Sequence, residues 1–138
     1  MRIRFSKAIA VILLIMFAGC EKNSLFTENN DLLGVWINRQ NGDGYITFER
    51  TNSLKANEYG LSFGQDGNFL ERKIDGWCAT PPVSYSNYEG TWSFADSTIN
   101  ISVAFWGGTM DYKWKLIKID NEHLKISELS VNTHFKEK

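Results

Sequence analysis

Residues that carry catalytic or metal chemistry are scarce: the chain has two cysteines, two histidines and two prolines among 138 residues. His123 and His134 are well separated near the C-terminus, and no metal-ligand spacing joins them to Cys78, so both read as solvated side chains. No Ser-His-Asp order, phosphate-cradling loop or paired metal-ligand motif occurs. The glycines of Gly64-Gln65-Asp66-Gly67 and Gly107-Gly108 fall where hairpin turns are expected. These absences point away from an enzyme, a metal site and an organic cofactor. A basic excess is missing too: with 15 Lys and Arg against 16 Asp and Glu, nothing resembles a nucleic-acid footprint. The longest apolar run, Ala8 to Ala18, has eleven residues, where a membrane-spanning helix needs roughly 20.

That run is informative in itself. Arg2, Arg4 and Lys7 precede it and no acidic residue does, which is the layout of a secretory signal: a charged segment, then an apolar one. It ends in Phe17-Ala18-Gly19-Cys20. This tetrapeptide resembles the lipobox of bacterial lipoproteins, an apolar residue and two small ones before a cysteine, with Phe17 standing where the family usually has Leu. The resemblance implies cleavage after residue 19 and lipidation of Cys20, by a diacylglyceryl group on sulfur and an acyl group such as palmitate on the amine. Several acyl chains, each contributing about 0.8 kcal/mol per buried methylene, anchor stably where one chain is marginal.

Residues 20–31 are polar and Asn-rich, with Leu25 and Phe26 the apolar exceptions, and read as a flexible tether. Beyond the signal, 12 basic residues face 16 acidic ones, a net charge of −4. Cys78 is then the one cysteine not assigned to lipid, so no intramolecular disulfide is expected. Its fates are burial, pairing with another chain, or reactivity, and burial is the commonest for a free thiol.

From residue 32 to 138 the pattern is alternation of period two, broken by turn residues, which predicts one all-β domain. The expected strands are 33–38, 44–51, 59–64, 69–75, 88–94, 99–105, 110–116 and a last one marked by Leu124 and Ile126. Asp66-Gly67 and Gly107-Gly108 supply turns, and the Gly76-to-Pro82 segment interrupts the rhythm because proline cannot donate to a ladder. After Leu116 the apolar phase shifts to Ile117 and Ile119, which predicts a bulge. Eight short strands without a helical period favour an antiparallel up-and-down barrel.

Leu33-Gly34-Val35-Trp36, opening the first of these strands, resembles the Gly-x-Trp signature of lipocalin-like domains, in which the Trp closes the barrel base. The likeness extends over residues 32–129. The chain is short for a full lipocalin, lacks a Thr-Asp-Tyr segment and a C-terminal helix with a basic residue, and repeats Gly-x-Trp at Gly90-Thr91-Trp92. What the resemblance implies is a lipocalin-like lipoprotein of the bacterial cell envelope, on the outer membrane, acting as a binding module for a small hydrophobic molecule. Trp36, Trp92, Phe105 and Trp114 are the expected ligand walls. Arg72, sharing a strand face with Leu70 and Ile74, is either a buried partner for a ligand carboxylate or a rim residue reaching water. The alternative function is a protein-interaction or inhibitor module working through the loop of residues 76–86, with Trp77, Cys78 and Tyr85 as its contacts. Large inward aromatics further predict an interior mostly filled by side chains, with any ligand small or held at the mouth.

Overall fold

The computed structural model describes residues 31–76 and 80–138. Cys20, the expected signal segment and nearly all of the expected tether, together with Trp77 and Cys78, lie outside the described residues. The domain is nearly all β: β1 (Gly34–Asn41), β2 (Ile46–Thr51), β3 (Gly60–Phe63), β4 (Asn68–Ile74), β5 (Tyr85–Ala95), β6 (Thr98–Phe105), β7 (Gly108–Ile119) and β8 (His123–Phe135). These close into an eight-stranded antiparallel barrel in the order β1-β2-β8-β7-β6-β5-β4-β3.

From β3 to β8 each strand pairs with its chain neighbour, an up-and-down meander. The exception is β1, which sits between β2 and β3. The connection from β2 to β3 therefore passes over β1. It lays Leu54 against the outside of the wall, close to Ile37 and Gly60, and so Ile37 is buried although it alternates with the inward Trp36. A Cβ on Gly60 would stand 2.5 Å from the Leu54 side chain, so glycine makes room for the crossing.

Tight turns fix the register elsewhere. Asp96 and Ser97, both at positive φ, join Ala95 to its partner Thr98, the two-residue geometry whose twist matches the strands it connects. The bulge expected after Leu116 is present, with Leu116 paired to Ile126 and Lys118 to Lys125. A second shift, unsignalled in the sequence, leaves Leu129 extra between the pairs Trp114–Glu128 and Lys113–Ser130. It reverses the alternation of β8, which stays paired to β7 as far as Gly108–Phe135 and so runs well past the Leu124 and Ile126 that mark it in the sequence. β5 likewise starts at Tyr85, three residues ahead of its expected start at Tyr88, because Ser84, Tyr85 and Ser86 keep bonding to the end of β4.

The inward faces of the strands form one apolar cluster. It runs from Leu32, Trp36, Phe63, Phe69 and Trp92 at one end to Phe48, Leu61, Ile101, Val103, Trp114 and Ile126 at the waist. The first end is the base, where β1 begins and β5 ends. The other is the mouth, where β4 ends and β5 and β7 begin.

Candidate functional site

The base is sealed. Trp36 is fully buried and donates its indole N–H to the Leu32 carbonyl at 2.9 Å. The Arg50 guanidinium lies 4.2 Å over its ring and ties the entry to β1 to the turn between β7 and β8, donating to the carbonyls of Leu33 at 2.7 Å and Asn121 at 2.9 Å. Trp92 donates to the Gly64 carbonyl at 2.9 Å and meets Phe63 edge to face, with ring centroids 5.1 Å apart. The polar groups of Trp36, Arg50 and Trp92 are all spent on the main chain, so Trp36 and Trp92 act as closures of the barrel, although Trp92 also borders an outer cleft of about 470 Å³ with Gln65, Asp66 and Ser93.

The mouth is built differently. On β4 the inward residues are Phe69 and Glu71, with Lys73 following in the same phase, while Leu70 and Arg72 alternate to the outside. This corrects the expected phase of the strand. Leu70, Arg72 and Ile74 had the larger apolar content. Phe69, however, is tied to the base through its edge contact with Phe63, and a one-residue slip would turn it out. Arg72 is thus not an inward partner for a ligand acid. Its Nε is buried on the wall without a hydrogen-bond partner among the described residues.

Glu71 takes the interior position instead, at 1% exposure in an otherwise apolar barrel. Its Oε1 accepts from the Tyr59 hydroxyl at 2.7 Å, and its Oε2 accepts from Lys73 Nζ at 2.6 Å. The Tyr112 hydroxyl reaches both oxygens, at 3.2 and 3.3 Å. Three chain segments therefore converge on one carboxylate: the crossing that leads into β3, β4 itself, and β7. Lys73 is held from the other side by aromatic faces, 5.2 Å from the Tyr88 ring and 6.0 Å from that of Phe105. Above them, Met110 sulfur accepts from Tyr112 at 3.5 Å.

Burial pushes both phenols up. Tyr59 is raised well above its ordinary range first by desolvation and then by the negative charge and hydrogen bond of Glu71, with Arg39 opposing weakly. Tyr112 is raised for the same reasons in the same order, with Glu128 adding to the rise. Tyr88, nearer the rim, is pushed up to about 12 by desolvation and by its hydrogen bond to Asp75. All three are donors that stay protonated at any physiological pH. The group as a whole presents one carboxylate, one ammonium and fixed hydroxyls beside the rings of Tyr88 and Phe105.

Of the expected ligand walls, Phe105 belongs to this mouth and Trp114 stands just below it. Trp114 stacks on Tyr112 with centroids 5.4 Å apart, and its buried indole N–H has no hydrogen-bond partner among the described residues. Tyr85 is half-buried at the start of β5 on the same rim. From the sequence Glu71 reads, with Glu49 and Glu89, as a scattered solvated strand charge, and Lys73 carries no signal of its own; the structure buries Glu71 beside Lys73. The signal they share is the spacing of two from Phe69, outweighed by the apolar alternation of Leu70 and Ile74 on the opposite phase.

The clefts found lie outside the barrel. One of about 460 Å³ crosses the outer faces of β5 to β8 and is lined by Thr91, Ser102, Asp111, Lys113 and Asn132 among others. Beside it His134 Nε2 lies 2.9 Å from Asp111, whose carboxyl is lowered by a hydrogen bond with Ser102 and by that histidine. Among the described residues no group of three or more His, Cys, Asp and Glu side chains could hold a metal ion, and no helix is long and apolar enough to cross a membrane. Comparisons with protein-family models, with curated proteins and with solved structures found no match.

Proposed function

We propose that this chain is a lipid-tethered, lipocalin-like barrel that binds a small amphipathic molecule at its mouth, and that its role is binding rather than catalysis. The observation that carries the reading is the ionisable group inside the barrel, Glu71 with Lys73, Tyr59 and Tyr112. A buried ion pair is weak evidence for stability, since apolar residues of like volume often serve as well or better. Its placement at the end opposite the Trp36 closure, beside Tyr88, Phe105 and Met110, fits a site in which a few polar groups orient a ligand against apolar walls. A filled base and waist agree with a ligand that is small or only partly enclosed. The buried Trp114 indole, stacked on Tyr112, lies within reach of any such ligand as a fluorescent reporter.

The tether supports the same reading. Asp31 and Leu32 enter at the base, where Arg50 holds the Asp31 carbonyl. A lipid on Cys20 would therefore be joined to the barrel at its base, the end opposite the Glu71 cluster. Replacing Cys20 by Ser is expected to abolish lipid labelling and move the protein to the soluble fraction; membrane retention without label would remove the anchor from the account. For the mouth, titration with fatty acids, retinoids and haem while following Trp emission is expected to give a saturable change for at least one class. A flat response to all of them, together with no small molecule retained on purification from the native host, would leave the reading without support.

A further inference from the structure

The barrel wall is incomplete beside β8. β2 pairs with β8 only from Ile46–Ile126 to Glu49–His123, whereas β7 follows β8 up to Phe135. Residues 127–135 thus have β7 on one side and, among the described residues, no strand on the other. Such an edge offers a row of main-chain donors and acceptors, and proteins usually blunt it with proline, charge or a bulge. Here the bulge at Leu129 blunts only the lower part. From Ser130 to Phe135 the edge is regular, free of proline, lysine and acid, and carries the β-branched Val131 and Thr133. Val131 is 40% exposed and Phe135 70% exposed on the inward-phase side of the strand, an apolar surface left in water.

We propose that this edge is a homodimer interface in which β8 pairs antiparallel with β8 of a second copy about a two-fold axis at Thr133. The strand is self-complementary in that register. Val131 of each copy falls opposite Phe135 of the other, covering both exposed side chains twice, and Thr133 faces Thr133, a pair that favours strand association. The same register places Glu128 of one strand opposite Lys138 of its partner, an oppositely charged pair at each margin, with Glu137 facing Leu129. A two-fold interface uses one patch on both subunits, so the pairing closes at two copies instead of propagating.

The test is cysteine crosslinking of the full chain in membranes, in a Cys78→Ser background. Residues opposite each other in an antiparallel pair have Cα atoms about 4.5–5.5 Å apart, within the range a disulfide bridges. Thr133→Cys is expected to give a dimer on mild oxidation. Thr91→Cys, on the outer face of β5 away from the edge, is not, and adding Val131→Lys to Thr133→Cys is expected to reduce the dimer at least tenfold without changing the near-ultraviolet circular dichroism. Crosslinking of Thr133→Cys no greater than that of Thr91→Cys overturns the proposal. So does a crosslinked product containing a different protein, which would assign the edge to another partner.

Discussion

The two ends of this barrel solve the same problem, how to end a cylinder of strands, in opposite ways. At the base the polar groups of Trp36, Arg50 and Trp92 are all turned onto main-chain carbonyls, and the rings fill the space between. At the mouth the polar groups turn onto one another around the buried Glu71, and the rings of Tyr88 and Phe105 lie against Lys73. A closure bonded to its own backbone has nothing left for a ligand. A cluster bonded side chain to side chain can exchange one partner for another, and it lies where a ligand could arrive.

The largest expected effect breaks the base. Trp36→Ala leaves a cavity among Leu32, Phe63 and Arg50 and should cost about 3–5 kcal/mol, measured by denaturant unfolding. At the mouth, Lys73→Met should cost about 3 kcal/mol, because it strands the buried Glu71 carboxylate, whereas the double replacement Glu71→Met with Lys73→Met should cost clearly less than Lys73→Met alone. That inequality separates a cluster kept for function from one kept for stability. Arg50→Ala follows at about 1–3 kcal/mol, through the lost hydrogen bonds to Leu33 and Asn121 and the lost cover on Trp36.

Raising the pH sharpens the contrast without mutation. The phenols of Tyr59 and Tyr112 titrate higher folded than unfolded. Their contribution to stability is therefore complete below pH of about 10, the unfolded value, and is lost as pH climbs above it. Ultraviolet titration should show these two ionising only as the protein unfolds, and Tyr59→Phe with Tyr112→Phe should flatten the alkaline loss. The smallest effect belongs to the outer face: His134→Ala breaks an exposed pair with Asp111 and should change stability by no more than about 0.5 kcal/mol.

The barrel was legible in the sequence because alternation and turn chemistry act locally. The meander from β3 to β8, the inward Trp114 and Tyr112, and the bulge after Leu116 all follow from neighbours within a few residues. The insertion of β1 between β2 and β3 was not legible, because nothing in residues 52–59 distinguishes a crossing from a hairpin loop. It departs from the all-neighbour strand order that the sequence alone suggests. The candidate site was missed for a related reason. Whether Glu71 or Arg72 points inward depends on a register set by Phe69 packing on Phe63, a tertiary fact, while the composition of the strand favoured the other phase.

Everything proposed for the mouth turns on whether Glu71 and Lys73 meet a ligand. The direct measurement is binding of a ligand class that shifts Trp emission in the native chain, repeated on the Glu71→Met, Lys73→Met double variant after its fold is verified by near-ultraviolet circular dichroism. At least a tenfold weaker affinity in the variant is the predicted result. An unchanged affinity, with the fold intact, would contradict it.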